Sequence, residues 1–307
     1  MIRKVTISAI LISSFTLSAQ QQIGNSNMEA WDNVGAQTEE PTNWNSFKTA
    51  EGSLSSFGSQ QLQRSTSIRS GATGSYCARI WSKSTLGVVA NGNMTLGIIS
   101  MGSSTPSSTS NYNYSKTTDG NFSEALTLSP DSLVFWAKFT VSGSNDSARV
   151  HAILHDSYEL RDPLDANSTP HVVARAERNY RTGGNWVRMS VPFIYNGPAS
   201  IPAFILITFT TNKTPGGGTA NDEVLIDDVE LKYNTSSFEE NNLDSFKAYY
   251  SLTDGLQLKG KNETIYILNS AGIVLNNDSM INLNGTKLNS GLYFIKSNSS
   301  TIKILVP

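Results

Sequence analysis

The sequence is short of cysteine, histidine and charge, and each shortage excludes something. Cys77 is the single cysteine in 307 residues, and one cysteine cannot staple a fold internally. Stability must come from a packed core. Cys77 lies in the alternating run Ser75-Tyr-Cys-Ala-Arg-Ile80 with no histidine near it in sequence, so it reads as a small buried residue rather than a nucleophile. Only 16% of residues are charged and the formal net charge is −2. Without a basic field, nucleic acid is a poor partner. Without a basic amphipathic helix, peripheral membrane binding has no sequence cause. Past the N-terminus no apolar run is long enough to span a bilayer; the best candidate, Ile201 to Phe209, is strand-length and interrupted by Pro202. His151 and His155 are four apart on an expected strand, roughly 13 Å at about 3.3 Å per residue, too far to share one ion directly. No nucleophile elbow, His-Glu-x-x-His or phosphate loop is present.

What fills the sequence instead is Ser, Thr, Asn and Gly, the composition of polar loops between many short strands. At the start, Arg3 and Lys4 precede an apolar stretch from Val5 to Leu17 and a small residue, Ala19. This pattern reads as a secretory signal peptide over 1–19. Strand-like runs then recur with turn formers between them: Ser75–Trp81, Leu133–Val141, Ala148–His155, Val172–Glu177, Val187–Phe193, Phe204–Thr210 and Val224–Tyr233. Long helical periodicity is absent. The expectation is an all-β chain, with a jelly-roll β-sandwich over 20–234, a polar linker over 235–246 and a small C-terminal β-sandwich over 247–307. Residues 103–121, rich in Ser, Thr, Asn and Tyr, read as a long surface loop of the kind that often carries binding function; Tyr112 and Tyr114 are placed there to cap a groove.

The tail carries a resemblance. Ile265-Tyr-Ile-Leu-Asn-Ser-Ala-Gly272, Leu288-Asn-Ser-Gly-Leu-Tyr-Phe-Ile295 and the last strand Ile302-Lys-Ile-Leu-Val306 resemble the C-terminal sorting domain of proteins exported by the type IX secretion system of Bacteroidetes-type bacteria. The stretch Phe246 to Gly255 lacks the proline-bearing opening usual in that family. The resemblance implies a partner, the type IX secretion machinery, and a secreted or outer-surface destination reached through the periplasm. A second resemblance runs from about residue 23 to 233. It rests on Ile23-Gly-Asn-Ser-Asn-Met-Glu-Ala-Trp31, Gly71 to Arg79, Ala90-Asn-Gly-Asn-Met-Thr-Leu-Gly97, Leu133 to Lys138, Asn185 to Tyr195 and Glu223 to Tyr233. Taken in order these resemble the carbohydrate metabolism domain family of secreted Bacteroidetes proteins, whose name itself records a suspicion about sugars.

Two sites are expected. In the strand Leu225–Leu231 the odd positions Leu225, Val229 and Leu231 are apolar, and uninterrupted alternation places Asp227 on that same side. A buried carboxylate needs a cation or donors. Glu29 near the domain start and Asp227 near its end are therefore candidate ligands of a structural Ca2+, whose oxygen-rich coordination also accepts backbone carbonyls; hydrogen bonding from a loop is the alternative. The second site comes from an expected hairpin of Leu133–Val141 with Ala148–His155. Its outward positions would gather Trp136, Lys138, Arg149 and His151 within cross-strand reach. Aromatic rings stack on sugar C–H faces and cationic groups donate to hydroxyls, unless loops cover that face. Asp156, Glu159, Asp162 and Asp165 cluster in one loop that reads as solvated, or as a second cation site, rather than as a catalytic pair.

Three functions remain open on the sequence. One is a non-catalytic carbohydrate-binding module at the cell surface. Another is a glycan-active hydrolase with an unfamiliar carboxylate pair. The third is a structural or adhesive protein. A concave face lined by Trp136 with no second carboxylate nearby favours the first, two carboxyl groups about 5–9 Å apart in a groove the second, and a flat polar sheet face the third.

Overall fold

The structure, a computed structural model, describes residues 20–85, 87–143, 145–233, 246–260, 262–298 and 300–307. The expected signal peptide lies outside the described residues, as does the expected linker except for Phe246. The chain divides into two compact units, Met1–Asn234 and Thr235–Pro307. No helix among the described residues is long and apolar enough to cross a membrane.

The larger unit is built from antiparallel strands: β1 (Leu62–Ser65), β2 (Cys77–Trp81), β3 (Asn93–Thr95), β4 (Ile98–Met101), β5 (Asn111–Tyr114), β6 (Glu124–Ala125), β7 (Ser132–Thr140), β8 (Ala148–His155), β9 (Arg161–Asp162), β10 (Val172–Tyr180), β11 (Val187–Pro192), β12 (Phe204–Thr210) and β13 (Glu223–Lys232). One sheet runs β11-β7-β13-β2-β1. The other runs β6-β12-β8-β10, with β3 also on β12. Strict alternation explains why two layers form. Leu133, Phe135, Ala137 and Phe139 of β7 are buried, as are Val150, Ala152 and Leu154 of β8 and Ile205, Ile207 and Phe209 of β12, all in one cluster. Each strand thus presents an apolar face to the other sheet. Phe135 meets Phe209 edge to face with ring centroids 5.1 Å apart. Burying each such ring contributes about 2–3 kcal/mol.

The sandwich is the expected fold, but the expected hairpin does not exist. β7 pairs with β11 and β13, and β8 pairs with β10 and β12. The two strands lie in different sheets. Alternation is as expected in each strand, because both face the same core from opposite sides.

A second departure is a bulge. Val134 of β7 pairs Glu230, whereas Trp136 pairs Asp227, and Asp228 takes a positive φ of 47°. An extra residue in one strand reverses its alternation. Val229 and Leu231 therefore join the central core together with Val224 and Ile226, while Leu225 and Asp227 point to the outer face. Asp227 is not on the core side, as uninterrupted alternation would have placed it. A third departure is the long loop at 103–121, which contains β5. With β4 and β9, β5 forms a three-stranded sheet in the order β9-β5-β4. Nearby, Ile153, Leu160, Val172 and Leu206 make a small separate core.

The smaller unit has its own core, including Phe246, Leu256, Ile265, Ile267, Tyr293 and Ile295. A hairpin of β14 (Lys247–Ser251) with β15 (Gly255–Lys259) accompanies a four-stranded sheet. That sheet contains β16 (Thr264–Asn269), β17 (Val274–Ser279), β18 (Gly291–Lys296) and β19 (Thr301–Val306), in the order β17-β16-β18-β19. Gly255 turns the hairpin at φ 79°, and a Cβ there would meet the Gly285 carbonyl oxygen at 2.5 Å, so only glycine fits.

Candidate functional site

The four expected sugar-binding residues divide between the two outer faces. Trp136 and Lys138 lie on the β7 sheet, while Arg149 and His151 lie on the β8 sheet. The Arg69 guanidinium sits 4.6 Å from the Trp136 ring centroid, and Arg69 is held over the ring by its hydrogen bonds to Asp228. Arg188 is the cross-strand neighbour of Trp136 on the other side. A small cavity of about 310 Å³ opens here, with Trp136, Arg69 and Arg188 in its lining.

Arg149 leads to a larger feature. A groove of about 840 Å³ lies over the outer face of the β8 sheet. Its floor takes Asn93 from β3, Thr208 and Thr210 from β12, and Arg149 from β8. Its walls come from β4, β5 and β9 and from the chain around residues 47–61, 85–91, 103–109 and 213–216. Phe47, Phe57 and Tyr112 supply rings. Phe57 is the last residue of a short 3₁₀ turn, Ser55–Phe57, and is 60% exposed. Tyr112 has the Arg161 guanidinium 4.1 Å from its ring centroid. Of the two tyrosines expected near a groove, Tyr112 is among the lining residues. Tyr114 is not among the lining residues; its hydroxyl donates to Glu51 at 2.7 Å.

An ionic network anchors the floor. Asp162 is 2% exposed. His151 Nδ1 lies 2.9 Å from its Oδ1, and Arg149 Nη2 lies 3.6 Å from the same oxygen. Arg149 also donates through Nε to Glu177 at 2.8 Å. Burial raises the Asp162 pKa, but the adjacent His151 and Arg149, with a hydrogen bond from Thr208, lower it further, to about 2. The carboxyl is ionised at any ordinary pH. The expectation of a solvated acidic loop therefore fails at Asp162. It fits Asp165, which faces solvent and accepts from the Ser168 N–H at 2.7 Å. Asp156 instead pairs with His171 at 2.8 Å. His155 is buried between Ser115, at 2.8 Å from Nε2, and the stacked ring of Phe204, and desolvation pushes its pKa down to about 4.

Glu29 lies near enough for its charge to act on Asp227, although no bond joins the two side chains. Asp227 is 2% exposed, and its pKa is pushed up to about 7, first by burial, then by Asp228, with Glu29 adding to the rise. Asp227 Oδ1 accepts from the Asp228 N–H at 2.9 Å. Glu29 Oε1 accepts from the N–H groups of Ser75 and Tyr76, each at 2.9 Å. Gly74 makes this approach possible, since a Cβ there would meet Glu29 Oε1 at 2.2 Å. Each carboxylate keeps a second oxygen outside these bonds, which suits a cation completed by carbonyls and water. Among the described residues no group of three or more His, Cys, Asp or Glu side chains gathers, so a Cys- or His-rich transition-metal centre does not fit.

Sequence reasoning missed Asn93, Asn113, Phe57 and Asp162 as groove residues. Asn91 and Asn93 stand in the run Ala90 to Gly97 already singled out, but nothing in that run says that it faces a cavity. No family model matches the chain, and no curated protein matches it. Solved structures do. A protein of Bacteroides thetaiotaomicron VPI-5482, solved as a candidate glycoside hydrolase, superimposes with a TM-score of 0.51 at 20% identity, over 70% of this chain and 72% of that one. A candidate glycoside hydrolase of Bacteroides vulgatus ATCC 8482 gives 0.46 at 17%, over 67% and 96%. The module TmCBM61, solved with β-1,4-galactotriose, gives 0.32 at 11%, over 68% and 96%. The first of these likenesses places the larger unit in a β-sandwich fold shared with the Bacteroides thetaiotaomicron protein.

Proposed function

We propose that the larger unit binds glycan in the groove over the β8 sheet, as a non-catalytic module. The groove carries the reading: about 840 Å³ of open volume with ring-bearing walls and a floor of amides, hydroxyls and one arginine. Sugars need flat apolar faces and fixed polar groups side by side, and a flat adhesive face offers neither. The structure solved as a candidate glycoside hydrolase supports a carbohydrate ligand. Against hydrolysis stands the protonation of the lining carboxyls. Glycoside cleavage needs one carboxyl protonated to serve the leaving oxygen. Asp162 is held near 2 by the adjacent His151 and Arg149, and hydrogen bonds from Ser168 hold Asp165 below its ordinary range. Of the four residues expected from the sequence, Arg149 lines this groove; His151 fixes Asp162 beside it. Glycan-array binding of the full chain tests the reading, with Phe57→Ala as the probe. Losing a ring stacked on a sugar costs about 1 kcal/mol, a several-fold loss of affinity, and Phe57 is exposed enough to leave the fold intact. Failure to bind any glycan overturns the proposal.

Two further parts belong to the same reading. The tail motifs support export by the type IX secretion machinery to the cell surface or medium. The carboxylates Glu29 and Asp227, with Asp227 buried and resisting ionisation, support a structural Ca2+ that would relieve their repulsion.

A further inference from the structure

Most polar side chains of the groove are already used in building it. Asn111 Oδ1 accepts from the N–H groups of Gly102 and Ser103, and its Nδ2 donates to the carbonyls of Ser103 and Thr105. Asn212 Oδ1 accepts from Ser82 and Thr211, and its Nδ2 donates to Asp222. Gln61 Nε2 donates to the carbonyls of Trp81 and Ala90. These groups have little left for a ligand.

Asn93 and Asn113 are different. Their side chains bond each other, Asn93 Nδ2 donating to Asn113 Oδ1 at 3.0 Å, and so join β3 of the sandwich to β5 of the small sheet. Asn93 Oδ1 is buried and receives no donor among the described residues. Asn113 Nδ2 also makes no bond to an acceptor among them but, unlike Asn93 Oδ1, it is open to solvent. The outcome does not depend on which way the two amides are turned. Turning both amides over exchanges the two ends and still leaves one free acceptor and one free donor.

The charges of the groove are mostly neutralised within it. Arg149 pairs with Glu177 and Asp162, and Arg161 pairs with Asp165 at 3.6 Å. Lys213 has no carboxylate within 4.0 Å among the described residues, but it stands exposed at the rim, where salt screens it. An anionic sugar would meet Asp162 and Asp165 without a desolvated cation to hold it.

Resting on the groove as the glycan site, we infer that its ligand is an uncharged glycan, and that the Asn93–Asn113 pair reads two neighbouring hydroxyls of one sugar ring. One hydroxyl donates to the free amide oxygen and the other accepts from the free amide nitrogen. A buried acceptor left unpaired, as Asn93 Oδ1 is, makes a site selective for the hydroxyl that fills it.

The test uses the full chain on an array carrying neutral oligosaccharides and their uronic and sulfated counterparts, with hits titrated by calorimetry at 0.15 M salt. The expected hits are neutral. Asn93→Ala and Asn113→Ala should each weaken binding roughly tenfold. Deoxy analogues of the bound sugar, lacking one of the two hydroxyls, should lose a similar factor against the unaltered protein, which keeps the test independent of any folding defect. Binding of the acidic counterparts in preference to the neutral ones overturns the ligand class while the glycan reading stands. Neutral binding that is indifferent to both substitutions and to every deoxy analogue overturns the amide pair as the reader. No glycan bound at all sinks the groove reading itself, and this inference with it.

Discussion

Replacing Asp162 by asparagine removes one charge and keeps the shape of the side chain, so it isolates the ionic anchor of the groove floor. Asp162 is 2% exposed and faces the Arg149 guanidinium, with Nη2 at 3.6 Å, and the His151 ring, with Nδ1 at 2.9 Å. Its carboxyl titrates near 2 in the native protein against an ordinary 3.8. That depression corresponds to about 2.5 kcal/mol of native stability. The sign follows from the direction: the contribution is complete above pH about 4 and disappears as pH falls through about 2. Breaking a buried ion pair costs about 3–5 kcal/mol. Arg149 keeps Glu177 as a partner, which puts the expected loss at the lower end, about 3 kcal/mol at pH 7. Urea unfolding followed by tryptophan fluorescence reads this selectively, because all 5 tryptophans lie in the larger unit. The wild type should lose stability between pH 4 and pH 2, and Asp162→Asn should be weaker at pH 7 with a flattened acid response. A loss under about 1 kcal/mol with an unchanged acid response refutes the network as drawn.

In the presence of chelator, native stability should fall as pH rises from about 4 to 7, because Asp227 must ionise while buried; a carboxyl raised to about 7 represents up to about 4 kcal/mol. Calcium should raise the melting temperature, and Asp227→Asn should abolish that response; a melting temperature indifferent to both leaves the two carboxylates to hydrogen bonding. Trp136→Ala should leave groove binding unchanged, since Trp136 stands on the other sheet; loss of glycan binding would move the site to the Arg69–Arg188 cavity. Deleting 235–307 should abolish surface display and leave the sandwich folded, as read by cell fractionation and circular dichroism. Display at the wild-type level rules out the tail as the sorting signal.

The sequence by itself determined which residues form strands and which side of each is apolar. Ala148–His155 and Phe204–Thr210 have the bounds expected from the sequence, because the alternating direction of side chains along a strand is a local property of the chain. The choice of strand partner is not local. β7 and β8 carry the same inward pattern whether they pair as a hairpin or face each other across a core, so alternation alone assigned Trp136 and Arg149 to one face, whereas the tertiary structure separates them by the thickness of the sandwich. The bulge at Asp228 reverses alternation with a single residue and moves Asp227 outward, a change set by the register against β7. The groove was the least legible part. Phe57, Asn93, Tyr112, Arg149 and Arg161 come from five separate segments, and each has an unremarkable polar or aromatic context in the chain. They become a site only because the small β9-β5-β4 sheet and its neighbouring loops stand over the outer face of the β8 sheet, an arrangement fixed by packing between distant segments and not by any one of them.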